Sequence, residues 1–250
     1  MKISGIIPAR YASTRFPGKP LADIGGKSMI QRVYEQAAKS KLLSEVIVAT
    51  DDQRIFDHVS GFGGTVQMTS ALHQSGTDRC AEVALAYPET DVFINIQGDE
   101  PFIDPQQIDL LCQCFADAGV NLATLVKQIK TDSELASANT PKVILNTNNE
   151  AIYFSRTAIP FLRDHPAKDW LKHRTYYKHI GIYGYRRDVL AIITKLPVSS
   201  LETSEALEQL RWIENGYQIK VAVTDIESIA IDTPADLGRA LSEIDLSSFD

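Results

Sequence analysis

The sequence predicts an α/β fold in which helices flank a mostly parallel sheet and a smaller antiparallel meander is added. In the first half of the chain, short apolar segments typical of buried strands alternate with segments that carry apolar residues at helical spacing. This alternation indicates a parallel sheet with helical connections. It stops near residue 142, where two β-rich segments flank the turn sequence Asn146-Thr147-Asn148-Asn149. We therefore expect a meander from that point.

The parallel part is predicted from four short β-rich segments and the helical patterns that follow them. The first strand covers residues 3–7 and ends at Pro8, and a helix over residues 28–40 follows after a long loop. Later strands are predicted at 45–50, 65–68 and 91–97, and later helices at 53–60, 80–86 and 106–116. Asp51 and Asp52 precede the second helix, where acidic residues stabilise helix N-termini; a metal-binding interpretation of this pair stays open.

The second half contains more strand and loop. A strand at 121–130 and a short helix at 131–138 precede the hairpin of residues 142–145 and 151–155. Residues 163–178 are predicted to form a mobile or variable loop. A strand over 176–186 places His179, Gly181 and Tyr183 on one sheet face. Helices at 188–195 and 203–215, a strand at 218–223 and a last helix that begins at Thr233-Pro234 complete the chain.

The composition is typical of a cytoplasmic globular protein. A hydrophobic content of 44% and a charged content of 23% are ordinary for a soluble globular protein. No apolar run is long enough to span a membrane, and the N-terminus lacks the pattern of a signal peptide. The net charge of −7 argues against a nucleic-acid polymer as partner. Cys80, Cys112 and Cys114 have neither zinc-site nor Cys-x-x-Cys spacing, so we expect reduced, packed thiols.

The loop after the first predicted strand concentrates positive charge. It carries Arg10, Arg15 and Lys19 without an acidic residue, although the whole chain is acidic. Ligands of open α/β sheets bind at the carboxyl ends of the strands, where this loop lies. Fixed cations and backbone N–H groups there suit a polyanion such as a nucleoside triphosphate. The alternative is an ordinary solvated basic loop; the spacing of a Walker A loop is absent.

Two further segments carry polar residues beyond what helix capping requires. The string His73-Gln74-Ser75-Gly76-Thr77-Asp78-Arg79 contains a good cap in its Ser, Thr and Asp, but a cap does not need Gln74, Gly76 or Arg79. Glycine lets a backbone approach a flat ligand closely. Asp99 follows the strand at 91–97, and two prolines delay the next helix so far that Asp99 is too early to cap it.

The exact residues of the first loop identify a family. The string from Ile7 to Leu21, IPARYASTRFPGKPL, closely resembles the signature loop of the CMP-Kdo synthetases, the 3-deoxy-manno-octulosonate cytidylyltransferases; it is similar, less closely, to the CMP-sialic acid synthetases. Further strings match in family order: HQSGTDR at 73–79, QGDEP at 97–101, KHIGIY at 178–183, LEQLR at 207–211 and DTPAD at 232–236. The resemblance covers essentially the whole chain.

The resemblance implies a fold and an activity. The fold is a Rossmann-like nucleotidyltransferase sheet of the glycosyltransferase A-like type, in one cytidylyltransferase domain over 1–250 with a sugar-binding and dimerisation subregion at about 143–190. The activity is transfer of CMP from CTP to the anomeric hydroxyl of the eight-carbon acid 3-deoxy-D-manno-octulosonate (Kdo), with release of pyrophosphate. CMP-Kdo serves lipopolysaccharide synthesis, and a homodimer is implied as well.

The resemblance also implies roles for named residues, and no general base is assigned. Catalytic roles are expected for Lys19, Asp99, Arg10 and Arg15. Nucleotide binding is expected for Ala9, Arg10, Ser13, Arg15, Lys19, Gln74, Ser75, Gly76 and Arg79. Sugar binding is expected for Gln97, Arg156, His179, Tyr183, Glu208 and Gln209. Asp99 and Asp232 are expected to hold Mg²⁺, which accepts few protein oxygens when phosphates supply the others.

Alternatives remain for several of these assignments. His179 could be an ordinary core or surface histidine on an aromatic sheet face. Glu205, Glu208, Gln209 and Trp212 share one face of the helix predicted at 203–215, where acids are usually just solvated. The same reaction on 8-amino-Kdo or on a sialic acid is a close alternative, and a catalytically silent nucleotide-sugar-binding regulator is a distant one.

Overall fold

The computed structural model describes residues 1–12, 15–227, 229–243 and 249. The chain divides into two compact units: unit 1 comprises Met1–Cys112 and Ser228–Asp250, and unit 2 comprises Gln113–Glu227. The expectation of one domain with a subregion at about 143–190 stays a prediction. In the described ranges, no helix is long and apolar enough to cross a membrane.

Strands and helices alternate along most of the chain. The strands are β1 (Ile3–Ala9), β2 (Asp23–Ile24), β3 (Lys27–Ser28), β4 (Glu45–Thr50), β5 (Val66–Met68), β6 (Val92–Asn95), β7 (Leu122–Gln128), β8 (Lys142–Leu145), β9 (Ala151–Ser155), β10 (Tyr177–Arg186) and β11 (Ile219–Thr224). The helices are α1 (Met29–Ala38), α2 (Gln53–Gly61), α3 (Gly76–Ala86), α4 (Pro105–Gln113), α5 (Asp132–Ala136), α6 (Trp170–His173), α7 (Arg187–Ile193), α8 (Ser200–Glu205), α9 (Gln209–Glu214) and α10 (Pro234–Glu243). Short 3-10 turns lie at Lys19–Leu21, Cys114–Ala116 and Ala167–Asp169.

The sheet of unit 1 is parallel, with its strands in the order β5-β4-β1-β6. β1 lies between β4 and β6, and Ile6 and Ile7 point to opposite faces yet are both fully buried. Burial of each such side chain contributes about 2 kcal/mol, so β1 forms the centre of the core. Because β1, β4 and β6 run in the same direction, the loops that follow them leave the sheet at one edge.

Side-chain caps determine where the helices of unit 1 begin. Ser28 and Asp52 cap α1 and α2, as expected for these residue types. Ser75 and Asp78 form a capping box, in which each side chain binds the backbone N–H of the other residue. α3 therefore begins at Gly76, and the prediction of a helix start at residue 80 is wrong because the whole first turn follows this cap.

The sheet of unit 2 is mixed. β11 runs parallel to β7, whereas β10 is antiparallel to both β7 and β8, and β8 is antiparallel to β9. The predicted hairpin of β8 and β9 is confirmed at the same residues, and Asn149 has a φ of 56° in its turn. The predicted fold class, a mostly parallel sheet flanked by helices with a smaller antiparallel part, is confirmed.

Two sequence-based details of unit 2 are wrong. The pairing of β10 with β7 shifts between Ile180 and Tyr183, so a bulge interrupts the simple alternation predicted for residues 176–186. The helix predicted at 203–215 is two helices, α8 and α9, because Ala206 takes the left-handed conformation with a φ of 50°. Glu205 and Glu208 therefore lie on opposite sides of a helix break rather than on one helical face.

The segment predicted as a loop at 163–178 contains local structure. A 3-10 turn and α6 form there, and the Trp170 side chain is buried against Ile129, Leu135 and Tyr176. The Trp170 indole N–H donates to the His165 carbonyl at 2.9 Å. The three cysteines are free thiols, two buried and one partly buried, as the sequence predicted.

Candidate active site

The loop after β1 folds back so that a lysine reaches the edge of the sheet. Gly18 has a φ of 71°, a conformation that favours glycine, and its N–H donates to the Tyr11 carbonyl at 3.0 Å. The 3-10 turn that follows begins with Lys19. The guanidinium of Arg54 stacks on the Tyr11 ring, with its carbon 3.3 Å from the ring centre. Ser13, an expected nucleotide contact, lies outside the described residues.

Lys19 lies between two carboxylates that are far apart in sequence. Its ammonium is 2.8 Å from Asp99 Oδ2 and 3.3 Å from Asp232 Oδ1. Arg15 Nη1 is 3.1 Å from the other oxygen of Asp232. The Lys19 side chain is 15% exposed, so its charge is partly shielded from water and interacts strongly with both carboxylates. The structure thus brings together the four residues Arg15, Lys19, Asp99 and Asp232.

Backbone contacts hold the two carboxylates in place. The N–H of Ile231 donates to the Asp99 carbonyl at 2.9 Å, which joins the loop after β6 to the segment before α10. A Cβ on Gly98 would lie 2.8 Å from the Pro8 carbonyl oxygen, so this close approach of two strand ends requires glycine. Thr233 and Asp236 cap α10 reciprocally and fix the residue that follows Asp232.

The pair of carboxylates fits a divalent cation that also binds a phosphate. Of all described residues, only Lys19 donates a hydrogen bond to the carboxylate of Asp99, so lone pairs remain for another ligand. The described residues contain no group of three or more His, Cys, Asp or Glu that could hold a metal by itself. Two hard oxygen donors with remaining positions are what Mg²⁺ accepts in phosphate-binding sites.

Arg10 joins the first loop to the segment before α3. Its Nη2 donates to the carbonyl oxygen of His73 and, at 3.5 Å, to that of Ser75. Gln74, between them, is exposed. A Cβ on Gly76 would make only ordinary contacts, the nearest being Pro8 Cγ at 3.5 Å, so packing within the protein does not require glycine there. The expected nucleotide-binding segment therefore lies beside the end of β1.

Two other expected nucleotide contacts are buried. Ala9 is the last residue of β1 and is buried, so only its backbone is placed for such a contact. Arg79 is fully buried, and burial lowers the pKa of its guanidinium even though Asp51 raises it. It is 3.3 Å from Asp51 Oδ2 and donates to the Thr69 hydroxyl. Asp51 thus pairs with Arg79 rather than capping α2.

In unit 2, His179 and Tyr183, two of the expected sugar-binding residues, lie side by side. The rings of His179 and Tyr183 are 5.1 Å apart, and His179 Nε2 is 3.0 Å from the Thr124 hydroxyl. Burial lowers the pKa of His179 to about 3, so its imidazole is neutral at neutral pH. The Tyr183 hydroxyl and the Gln209 amide nitrogen are buried without a hydrogen-bond partner among the described residues. An unpaired buried polar atom costs about 1–3 kcal/mol, which a ligand hydroxyl would recover.

Arg156 is committed to the protein backbone. Its guanidinium donates to the carbonyls of Ala138, Glu205 and Ala206, at 3.0, 2.6 and 3.1 Å. These bonds hold the helix break that precedes Glu208. Partial burial raises the pKa of Glu205, but hydrogen bonds from the Arg156 N–H and the Ser155 hydroxyl outweigh it and leave this pKa lowered. Gln97 lies in unit 1, half-buried, one residue before Gly98.

Sequence patterns missed several residues that shape these sites. Glu205 was assigned to a helix face, yet its carboxylate organises the end of β9. Glu82 pairs with His73 and accepts the Ser70 N–H at 2.9 Å, but it lies in the middle of α3 like any surface acid. Proximity of such pairs depends on how loops fold, and no local spacing reveals it.

Known proteins place the chain in a family. Its residues 4–225 match the cytidylyltransferase family. The chain belongs to the cytidylyltransferase family. The resemblance to 3-deoxy-manno-octulosonate cytidylyltransferases, inferred above from the first loop and later strings, is confirmed by the relatives that share this fold and sequence.

Several relatives of this cytidylyltransferase match along its whole length. The 3-deoxy-manno-octulosonate cytidylyltransferase of Parabacteroides distasonis is 58% identical over 97% of this chain and 98% of the relative. That of Geobacter metallireducens is 49% identical, covering 98% of both chains. The solved structure of a CMP:2-keto-3-deoxy-manno-octonic acid synthetase complexed with CTP matches with a TM-score of 0.90 and 44% identity, over 97% of this chain and 98% of that one. A cytidylyltransferase from Leptospira borgpetersenii, 18% identical with a TM-score of 0.66, shares the fold.

Proposed function

We propose that this cytidylyltransferase transfers CMP from CTP to the anomeric hydroxyl of Kdo and releases pyrophosphate. Relatives that carry this name match the chain at 48–58% identity along its length. The observation that carries the proposal is the position of Lys19 between Asp99 and Asp232, at the edge of the sheet where ligands of parallel sheets bind. A cationic loop facing two carboxylates suits a metal-bound triphosphate and fits few other ligands.

The residues of unit 1 match the demands of the reaction. Displacement at the α-phosphate of CTP needs charge neutralisation and alignment more than a covalent intermediate. Arg10, Arg15 and Lys19 bind the phosphate oxygens and stabilise the charge that develops on the leaving pyrophosphate. Asp99 and Asp232 would hold Mg²⁺, which when bound would neutralise phosphate charge and make the attacking hydroxyl more acidic. For this reason no separate general base is assigned.

The residues of unit 2 suit a polyhydroxylated acid. Tyr183 and Gln209 offer buried polar atoms that lack partners among the residues that the structure describes, and neutral His179 lies beside Tyr183. Hydroxyl groups of a sugar satisfy such atoms, and a ligand without them leaves these atoms unpaired, which gives selectivity. Glu208 is a further proposed sugar contact in unit 2, and Gln97 is proposed as a sugar contact in unit 1. Arg156 contributes to this site by holding the backbone before Glu208, and its remaining donor capacity serves the sugar carboxylate.

Pyrophosphate release tests the proposal. Purified protein with Mg²⁺ is given CTP and, in turn, Kdo, 8-amino-Kdo and a sialic acid; the other nucleoside triphosphates are then offered with the best acid. We expect release with CTP and Kdo at a rate well above the other combinations. Faster release with another acid would replace Kdo as the substrate. No release with any acid, together with intact CTP binding, would favour a silent nucleotide-sugar-binding regulator.

The same proposal extends to the setting of the enzyme. We place it in the cytoplasm, because its cysteines are free thiols, and assign its product to lipopolysaccharide synthesis. We assign it a homodimer with the subregion at about 143–190 taking part in sugar binding and dimerisation. Sedimentation velocity at several protein concentrations tests the dimer, and a monomer at all of them would contradict it.

A further inference from the structure

We infer that Glu82 and His73 are positioning residues for Arg10 and the nucleotide segment of residues 74–76. Neither residue is placed to touch the phosphates; they act by fixing the backbone that Arg10 grips. The inference rests on the proposed function, since it assigns CTP binding to unit 1. It concerns a chain of contacts that runs from the middle of α3 to the end of β1.

The first link is between α3 and the segment that precedes it. Glu82 Oε2 pairs with His73 Nε2 and accepts the N–H of Ser70 at 2.9 Å. The Glu82 and His73 side chains are 32% and 21% exposed, so the pair is partly shielded from water. Partial burial raises the pKa of Glu82, but the Ser70 N–H and the His73 imidazole outweigh it and leave this pKa lowered. One carboxylate therefore fixes residues 70 and 73 relative to α3.

The second link is between that segment and the first loop. Arg10 Nη2 donates to the His73 carbonyl and, more weakly at 3.5 Å, to the Ser75 carbonyl. The other nitrogens of the Arg10 guanidinium make no hydrogen bond to any described residue. Nη2 thus binds the protein backbone, while the other donors of the Arg10 guanidinium remain for an anionic ligand.

The two links together determine where Arg10 points. If the His73 carbonyl moves, the guanidinium loses its anchor, and the segment 74–76 loses its fixed distance from β1. An arginine that must be ordered when the ligand arrives binds more weakly than one that is held beforehand. Loss of Glu82 should therefore weaken CTP binding and leave sugar binding unchanged.

The experiment compares Glu82→Gln with Glu89→Gln, the same change at an exposed carboxylate just beyond α3. Calorimetric titration with CTP in the absence of sugar should show a rise in the dissociation constant of about tenfold for Glu82→Gln, the usual size of a lost charge-assisted hydrogen bond, and no rise for Glu89→Gln. Steady-state kinetics should show a higher KM for CTP and an unchanged KM for Kdo.

A double-mutant cycle separates positioning of Arg10 from general support of the fold. In an Arg10→Ala background, Glu82→Gln should change CTP affinity by less than about twofold, because the bonds by which Arg10 ties the segment 73–75 to the end of β1 are already lost. An equal effect in both backgrounds would overturn the inference, as would wild-type CTP affinity in Glu82→Gln. If Glu82→Gln unfolds, His73→Gln keeps the backbone carbonyl and should show the same selective loss. Absence of CTP binding or turnover in the wild type would instead refute the proposed function.

Discussion

Each unit contains a lysine that lies between two carboxylates, and the two clusters differ in what else those carboxylates bind. In unit 1, Lys19 is 2.8 Å from Asp99 and 3.3 Å from Asp232. In unit 2, Lys178 is 2.6 Å from both Glu134 and Glu227. The lysine side chains are similarly shielded, at 15% and 11% exposed. Charge and burial alone would therefore give the two clusters the same role.

The other hydrogen-bond partners of the carboxylates distinguish the two clusters. The second oxygen of Glu134 accepts bonds from the N–H groups of residues 130 and 131 and from the Thr131 hydroxyl, and that of Glu227 binds Lys127 at 2.6 Å. Asp99, by contrast, has Lys19 as its one hydrogen-bond donor to the carboxylate among the described residues. A carboxylate whose oxygens are all used stabilises the fold, whereas one with spare lone pairs can bind a ligand.

The largest effect should follow from removing the carboxylate with spare lone pairs. Asp99→Asn should lower kcat by about a thousandfold or more, because a metal ion stabilises transition-state charge by several kcal/mol and an amide holds it poorly. Thermal unfolding should change little. Asp57→Asn, at an exposed position on α2, is the control and should leave pyrophosphate release unchanged. A wild-type rate in Asp99→Asn with Mg²⁺ would remove Asp99 from the reaction.

The same substitution at the two lysines should affect different quantities, CTP binding at Lys19 and stability at Lys178. Lys19→Ala should weaken CTP binding by about a hundredfold, the loss of a charged phosphate contact, with a smaller effect on Kdo. Lys178→Ala should leave CTP binding unchanged but lower the free energy of unfolding by about 2 kcal/mol, since Glu134 and Glu227 each lose a charge-assisted hydrogen bond. Calorimetric titration and urea unfolding measure the two quantities. Equal loss of CTP and Kdo affinity in Lys19→Ala would mean that the first loop does not face the phosphates.

These clusters also show how much of the fold and of the site can be predicted from the sequence. The strands of unit 1 and the cap at Asp52 were predictable because local periodicity and cap chemistry decide them. The meeting of Lys19 with Asp99 and Asp232 spans 80 and 213 residues. No local pattern predicts that these three residues lie together. Their proximity was predictable from the rule that parallel strands end at one edge of the sheet and from the resemblance to a family.

The failures have physical causes as well. At the helix break Ala206 adopts a left-handed backbone conformation, although it is not a glycine. Hydrogen bonds from Arg156 to the carbonyls of Glu205 and Ala206 stabilise this break. The hydrogen bonds of Arg156 to these carbonyls were equally hidden from the sequence, because they join residues about 50 positions apart. Tertiary contacts of this kind override helical periodicity, so sequence reasoning extended one helix across the break.

Two buried tyrosine hydroxyls show the same difference between a binding site and a structural contact. The Tyr183 hydroxyl is buried without a partner among the described residues, whereas the buried Tyr176 hydroxyl donates to the Pro160 carbonyl at 2.8 Å. Tyr183→Phe should raise the KM for Kdo by about tenfold and leave stability unchanged or slightly higher. Tyr176→Phe should instead cost about 1 kcal/mol of stability without changing KM. Steady-state kinetics and urea unfolding of both variants check this, and an unchanged KM in Tyr183→Phe would exclude a sugar contact there.

The stability that the cluster of Lys178 contributes should also depend on pH. Partial burial would raise the pKa of Glu134, but the hydrogen bonds from Lys178 and from the backbone of residue 130 outweigh it and lower this pKa from 4.5 to about 2. A lowered pKa in the folded state means that the unfolded chain binds a proton first. The stabilisation is therefore fully present above about pH 4.5 and is lost as the pH falls towards 2.

Glu134→Gln should remove this contribution from the pH dependence of stability. Between pH 4.5 and 2 its unfolding free energy should fall less steeply than that of the wild type, by at most about 1.4 kcal/mol per pH unit, the value for one proton. Urea unfolding at a series of pH values measures the slope, and Lys178→Met, which removes the partner, should flatten it as well. Parallel slopes in the wild type and both variants would mean that Glu134 is not held ionised by Lys178. In that case the Lys178 cluster would lack the stabilising role that distinguishes it from the Lys19 cluster.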